Sequence, residues 1–210
     1  MKKIIFIKLL FCSLIINAQG IKNEIISKYD NGDFGSNEFF LNSFEGITKV
    51  DYSFVNNEKL TGKDFKIIIR KYKKGKLEFE TILIDTKTEK MPKIKNEFYF
   101  SVFSKQTTGQ QKIMFTFPTM GFFNRKIFNI DKSFEDGTFD YRDLVSISDN
   151  GKKTFEFEKE IQIGLITPPN NNSENGILGY CEVTKNEIDV KSWYYQYKIS
   201  EFFLIYLVIE

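Results

Sequence analysis

Apolar and polar side chains alternate along most of the chain from Ile47 onward. Alternation with a period of two places successive side chains on opposite faces of an extended strand, so the pattern predicts half-buried β-strands. The clearest example joins residues 65–70 to residues 77–83 across Lys74-Gly75, which predicts a hairpin. Shorter alternating runs follow at Phe98, Phe100 and Val102 and at Ile113, Phe115 and Phe117.

Two later segments carry more specific signals. Asn150-Gly151 accepts the positive φ angles of a type I′ turn, which predicts a hairpin between strands around Ile147 and Phe155. The run 202–209 has almost no polar residue, which is typical of a strand covered on both faces, although a buried helix has the same pattern. The polar, turn-rich segment 167–176 predicts a loop within one domain.

The beginning of the chain after residue 20 has a different period. Ile21, Ile25, Ile26 and Tyr29 fall at helical spacing and end before Gly32, which predicts a short N-terminal helix. Because about ten short strands and almost no long helix are predicted, the fold class is all-β. An antiparallel β-sandwich of jelly-roll type is favoured, and a closed β-barrel is the alternative.

The first residues follow the order of a secretory signal peptide. Lys2 and Lys3 precede an apolar run that extends to Ile16, and Ala18 closes the segment. The run is shorter than the roughly 20 apolar residues of a membrane-spanning helix. We therefore predict that residues 1–18 are removed during export to the periplasm or cell surface of a bacterium. Residues 19–210 then form a single β-rich domain without stable membrane insertion.

Removal of the signal changes the charge of the chain. The formal net charge of +2 includes three signal lysines and no signal carboxylate, so the remaining chain carries −1. A near-neutral chain has no surplus of positive charge for neutralising phosphates, so nucleic acid is not an expected partner. Cys181 is the one cysteine left, which excludes an intrachain disulfide. Stability must come from packing, for which the many Phe and Tyr side chains supply the area.

The absence of histidine restricts the chemistry. It removes the usual Ser-His-Asp and Cys-His nucleophiles and most catalytic zinc sites, and no complete catalytic motif is present. Carboxylates alone can still hydrolyse glycosidic bonds. Glu156, Glu158 and Glu160 are candidates, because a strand would place all three on one face, as the solvated face of an ordinary sheet also does.

A second carboxylate candidate is the segment Glu-Ile-Asp-Val at 187–190. It resembles part of the Glu-Ile-Asp-x-x-Glu strand of laminarinase-like jelly-roll glycosidases. The resemblance implies that Glu187 is a nucleophile. The acid/base glutamate of that family has no counterpart, because Lys191 and Ser192 stand in its place.

Oxygen-rich turns at 30–33 and 135–140 are the candidates for a metal ion. Neither has the ligand spacing of an EF-hand, and Asp, Asn and Gly favour turns without any ion. We expect no cofactor, and an irregular structural calcium site is the one alternative.

Two aromatic groups are the candidates for ligand binding. Trp193, Tyr195 and Tyr197 would share one face of a strand, where they form either a stacking surface for sugars or part of the core. Phe122 and Phe123 follow a turn that contains Pro and Gly. An exposed aromatic side chain there indicates a contact site, whereas a loop folded over the core buries it.

These observations favour an exported, non-catalytic binding module, with a glycan ligand slightly ahead of a protein ligand. A carboxylate-based glycoside hydrolase is one alternative, and a secretion accessory or exported inhibitor of another protein is a second. A small outer-membrane barrel ranks last, because charges such as Lys66 and Arg70 lie within the predicted strands. Lys71, Lys73, Lys74 and Lys76 are expected to keep one hairpin tip solvated.

Overall fold

The computed structural model describes residues 23–132, 134, 138–145, 151–169 and 189–210, which form eleven strands, two α-helices and two 3₁₀ turns. The helices are α1 (Asn37–Glu45) and α2 (Val190–Tyr197), and the 3₁₀ turns span Asn57–Leu60 and Pro118–Met120. The strands are β1 (Asn23–Tyr29), β2 (Thr48–Val55), β3 (Phe65–Lys73), β4 (Lys76–Asp85), β5 (Tyr99–Thr107), β6 (Gln110–Phe117), β7 (Phe122–Asn129), β8 (Asp140–Asp143), β9 (Lys152–Phe155), β10 (Ile161–Thr167) and β11 (Glu201–Ile209).

The strands form two open antiparallel sheets. The six-stranded sheet has the order β7-β6-β5-β2-β1-β9, and the five-stranded sheet has the order β4-β3-β11-β10-β8. This arrangement confirms the all-β sandwich. Most neighbouring strands are also neighbours in sequence, which is a more local order than the Greek keys of a jelly roll have.

Aromatic side chains fill the space between the two sheets. The Phe65 ring from the five-stranded sheet lies 5.0 Å from both Phe98 and Phe117, and Phe100 lies 5.6 Å from Phe117. All four rings are fully buried. Rings of this size contribute both apolar area and favourable ring contacts, so the aromatic residues supply the core that the composition predicts.

Strand β11 is buried along its whole length, as its apolar sequence predicts. It lies in the centre of the five-stranded sheet between β3 and β10. One of its faces belongs to the core between the sheets. Its other face belongs to a second apolar cluster, to which α2 contributes Trp193. The predicted coverage of both faces is confirmed.

The predicted N-terminal helix is wrong for the part that the structure describes. Residues 23–29 form β1, which pairs with β2 on one side and β9 on the other. Ile25 is fully buried in the core, and Tyr29 lies at the end of the strand. Pairing on both edges satisfies the backbone of this segment in the extended form. Ile21 lies outside the described residues.

The two predicted hairpins have different outcomes. Lys74 and Gly75 have φ angles of 51° and 74° between β3 and β4, so that hairpin is confirmed. The hairpin at Asn150-Gly151 stays a prediction for its turn and first strand, and of its second strand the described residues of β9 pair with β1. Residues 146–150 lie outside the described part of the chain.

A buried polar cluster connects the two sheets near one edge. The Tyr52 hydroxyl lies 2.7 Å from the Tyr141 hydroxyl and 3.2 Å from an Asp143 carboxylate oxygen, to which it donates. The Ser27 hydroxyl donates to the other oxygen of Asp143, and the backbone N–H of Val145 donates to the first at 2.9 Å. These bonds satisfy a carboxylate that has almost no exposure, so the cluster fixes β8 against β1 and β2.

This cluster makes the fold sensitive to alkaline pH. Burial is the main cause that raises the pKa of Tyr52 and of Tyr141 well above the ordinary value of 10.0, and the negative charge of Asp143 raises both further. Their stabilising contribution is therefore complete below pH 10 and is lost as the pH rises towards the folded-state pKa. We expect the double variant Tyr52→Phe, Tyr141→Phe to lose less unfolding free energy than the wild type between about pH 8 and about pH 11.

Urea unfolding at both pH values measures this difference, with Tyr99→Phe on the exposed face as the control that behaves as the wild type does. If the wild type and the double variant lose the same unfolding free energy at the higher pH, Tyr52 and Tyr141 are not the cause of the alkaline sensitivity.

Candidate functional site

The predicted aromatic surface at Trp193, Tyr195 and Tyr197 does not form, because these residues lie on helix α2 and not on a strand. Helical geometry places Trp193 and Tyr197 on one side and turns Tyr195 to another. Trp193 is only 3% exposed, and its ring packs 5.4 Å from Tyr197 and 5.9 Å from Phe202. The strand prediction is wrong here, and Trp193 belongs to the second apolar cluster.

Phe122 and Phe123, the predicted contact residues after the Pro and Gly turn, differ in burial. The turn is a short 3₁₀ segment that ends at Gly121 with φ 74°. Phe122 folds back and stacks on the buried Phe117 ring at 4.7 Å, whereas Phe123 is 68% exposed on the edge strand β7. Phe123 is therefore accessible to a partner.

The candidate carboxylates do not share a strand face. β9 ends at Phe155, and Glu158 has a φ of 64°, so residues 156–160 form a turn and the strand prediction is wrong. Glu160 accepts two hydrogen bonds from the Arg70 guanidinium at 2.6 and 2.7 Å, which makes it a structural ion pair. Glu187 lies outside the described residues.

The described ranges contain no group of three or more His, Cys, Asp or Glu side chains arranged to hold a metal ion. The Asp30 carboxylate of the first candidate turn instead accepts a hydrogen bond from Lys49 at 2.6 Å. Residues 135–137 of the second turn are not among the described residues.

Helix α1, which the sequence patterns missed, is well capped. The Ser36 hydroxyl accepts a hydrogen bond from the Phe39 backbone N–H at 3.1 Å, and Gly46 ends the helix with φ 62°. An N-cap serine and a C-terminal glycine in the left-handed region are the usual helix boundaries. This pair of residues is the sequence signal from which the helix could have been found.

The exposure of α1 is the reverse of that expected for a helix of a globular protein. Its buried residue is Asn42, which is 7% exposed, whereas Phe40, Leu41 and Phe44 are 57%, 59% and 87% exposed. Phe34, in the turn before the helix, is 89% exposed. A surface helix normally turns its apolar stripe to the core. A clustered apolar face turned outward is typical of a contact site.

The outer face of the six-stranded sheet carries a second group of accessible apolar side chains. On β5 and β6, Phe103 lies opposite Met114. On the edge strand β7, Phe123 and Ile127 are exposed on either side of Arg125. Side chains two residues apart on a strand share a face, so these groups form one apolar strip across three strands.

Ion pairs connect α1 to this face of the sheet. The Lys49 ammonium, on the outer face of β2, lies 2.6 Å from Asp30 and 3.2 Å from Glu38 of α1. Lys105 on β5 pairs with Glu45 at the end of the helix. The helix therefore borders the sheet face. We call the combined area the helix–sheet surface, defined by Phe34, Phe40, Leu41, Phe44, Phe103, Met114, Phe123 and Ile127.

Charge is distributed unevenly over the helix–sheet surface. Segment 30–46 contains four carboxylates, at Asp30, Asp33, Glu38 and Glu45, and no Lys or Arg. At the opposite side, Lys112 and Arg125 flank Met114 and Ile127, and neither makes an ion pair within the described ranges. The helix side is thus acidic and the β6–β7 side is basic.

The Lys49 cluster holds its charges in place. Burial alone lowers the pKa of Lys49, but hydrogen bonds and attraction from Asp30, Asp51 and Glu38 outweigh it and raise the pKa. The hydrogen bond from Lys49 lowers the pKa of Asp30, whereas burial raises that of Asp51. One ammonium is shared among three carboxylates, so the helix side keeps an excess of negative charge.

A separate open cleft of about 580 Å³ lies between Thr61 and Gly62, after the first 3₁₀ turn, and residues 93–97. Its lining includes Lys93, Lys95, Asn96 and Thr119, and no aromatic side chain of the described residues contributes to it. It therefore lacks the stacking platform that the sequence predicts for sugar binding.

No protein-family model, curated protein or solved structure matches this chain. In the part of the chain that the structure describes, no helix is both long enough and apolar enough to cross a membrane. The geometry of the described surfaces is therefore the basis for a functional proposal.

Proposed function

We propose that this chain is an exported, non-catalytic interaction protein that binds a protein ligand through the helix–sheet surface. The observation that supports the proposal is the reversed exposure of α1, which buries Asn42 and presents Phe40, Leu41 and Phe44 to solvent. The proposed export depends on the signal-peptide order of residues 1–18.

The reversed helix is costly unless a partner covers it. Burial of one large apolar side chain contributes roughly 1.5–3 kcal/mol to the stability of a fold. Four such side chains on α1 and its preceding turn are exposed, so this contribution is largely missing. The helix is nevertheless fixed by two caps and by ion pairs to Lys49 and Lys105. A rigid, capped element with an uncovered apolar face is preorganised for binding, because little ordering entropy is lost on association.

The composition of the helix–sheet surface favours a protein over a glycan. Protein interfaces combine Phe, Met and Arg near their centres with a polar rim, and Phe103, Met114, Phe123 and Arg125 fit that description. The aromatic surface on which a glycan ligand was predicted is absent, since Trp193 is buried. The secretion-accessory or inhibitor alternative is consistent with this ligand class.

The helix–sheet surface is also large enough for a protein–protein interface. Aromatic side chains bury roughly 150–250 Å² each in a complex. Four exposed Phe residues with Leu41 and Ile127 therefore offer on the order of 700 Å² of apolar area, against about 800 Å² per partner in a standard interface.

Photo-crosslinking in the cells that export the protein tests the proposal. A benzophenone amino acid at position 44, in the centre of the exposed helix face, is expected to give one product of discrete mass that contains a second polypeptide. The same probe at Lys159, which is similarly exposed on a distant turn, is the matched control and is expected to give none. Equal yields at both positions, no product at position 44, or a product that contains glycan and no peptide contradicts the proposal.

A further inference from the structure

We infer that the polypeptide covering the helix–sheet surface is a second copy of this chain, in a two-fold symmetric dimer. The inference rests on the proposed function, because it identifies the partner of the same surface. In the dimer, α1 of each copy packs over β6 and β7 of the other.

Charge complementarity favours this occupant. A two-fold interface brings the same surface of two copies together, so it is stable only when that surface is complementary to itself. Asp33 of one copy, in the turn before α1, would meet Lys112 and Arg125 of the other, and the reverse contact would occur at the same time. A foreign partner needs both an acidic and a basic region in the right order, which this chain already provides.

The width of the sheet leaves room for α1 of the second copy to lie over β6 and β7 while α1 of the first copy stays beside β2. The six-stranded sheet has β2, β5, β6 and β7 as consecutive neighbours. Three strand spacings, about 14 Å, therefore separate β2, which carries Lys49, from β7. This distance exceeds the width of one helix, so α1 of a rotated copy fits beside the resident α1.

The apolar contacts match in the same arrangement. Phe40, Leu41 and Phe44 of one copy would lie on Met114, Phe123 and Ile127 of the other. Because each contact occurs twice, two patches of on the order of 700 Å² come together, which is the size class of a stable dimer. Phe34, at the end of the helix face, would pack at the periphery.

Sedimentation equilibrium of the exported protein from about 1 to about 100 µM tests the inference. We expect a dimer in the upper part of this range. The acidic-side variant Asp33→Lys, Asn37→Lys changes two exposed positions on the outward side of α1. This variant and the basic-side variant Lys112→Glu, Arg125→Glu each place like charges opposite one another. Each is expected to raise the dissociation constant on the order of 100-fold.

An equimolar mixture of the two variants provides the sharpest comparison. Each variant alone has like charges at both contacts, whereas the mixed dimer has opposite charges at both, so the mixture is expected to recover the wild-type dissociation constant. Lys95→Glu, Lys159→Glu is the control with the same charge change elsewhere, and it is expected to dimerise as the wild type does.

The possible outcomes separate the inference from the proposed function. A monomer at about 100 µM, or a mixture that stays as weak as its components, overturns the second-copy inference. If position 44 then cross-links to a different protein, the proposed function stands with another partner. If no cross-link forms either, both are overturned.

Discussion

Replacing Phe40 and Phe44 together by serine is expected to weaken association through the helix–sheet surface strongly while leaving the stability of the fold nearly unchanged. The two rings are largely exposed, so little buried area is lost from the folded chain. Serine and phenylalanine also have similar helix propensities. We expect the unfolding free energy in urea to change by less than about 0.5 kcal/mol and the dissociation constant to rise on the order of 100-fold.

The matched control for this pair of substitutions is a phenylalanine in the core. Phe117 is fully buried between the sheets, so Phe117→Ala is expected to destabilise the fold by about 4 kcal/mol. If the Phe40→Ser, Phe44→Ser variant loses stability to a similar extent, α1 serves the fold and is not a contact site. If the variant is stable and associates as the wild type does, the surface assignment is wrong.

The substitution Glu201→Gln is expected to cause a large loss of stability, about 3 kcal/mol, because it leaves a buried ammonium without its main partner. The Lys71 ammonium lies 2.8 Å from both Glu201 and Glu78, and it donates to the Asn129 carbonyl at 3.0 Å. Lys71 and Glu201 are both buried. Although burial lowers the pKa of Lys71, the two carboxylates raise it above its ordinary value, so the lysine stays charged.

The double variant Lys71→Met, Glu201→Leu shows whether the pair or only the isolated charge is responsible. Removing both charges avoids an unpaired buried ion, so this variant is expected to be more stable than Glu201→Gln in urea unfolding. A Glu201→Gln variant within about 0.5 kcal/mol of the wild type would show that Glu201 does not stabilise the buried Lys71 charge. The placement of Lys71 also corrects the prediction that this residue belongs to a solvated hairpin tip.

The features that the sequence predicts well depend on local patterns. The turn at Lys74-Gly75 and the buried strand at 202–209 follow from turn chemistry and from continuous apolarity, and both are present. The sandwich follows from many short alternating strands. Each of these signals lies within a few residues, so no long-range contact has to be known.

The errors arise where tertiary contacts decide between two local structures. The aromatic segment at Trp193 has residues that favour strands, but α2 forms because Trp193 and Tyr197, four residues apart, both pack onto the outer side of the five-stranded sheet. Residues 23–29 fit a helical and an extended pattern, and pairing with β2 and β9 selects the strand. Sequence periodicity does not contain this information.

The helix–sheet surface is the feature that sequence reasoning could not assemble. The outward face of α1 has the composition of a buried one, so its residues alone do not reveal which side meets solvent. Phe123 could be singled out as a contact residue because it follows a Pro and Gly turn. Its combination with Phe44 and Arg125 requires the order of strands in the sheet.

Hydrogen exchange of the chain from residue 19 onward, at two concentrations, measures whether the helix–sheet surface is covered in solution. A short helix and an edge strand exchange through local opening, so coverage by a partner is measurable there. We expect amides of α1 and β7 to become more protected as the concentration passes the dissociation constant, while those of β9, at the far edge of the six-stranded sheet, do not change. Unchanged exchange in α1 and β7, or new protection confined to β9, would show that the helix–sheet surface is not covered.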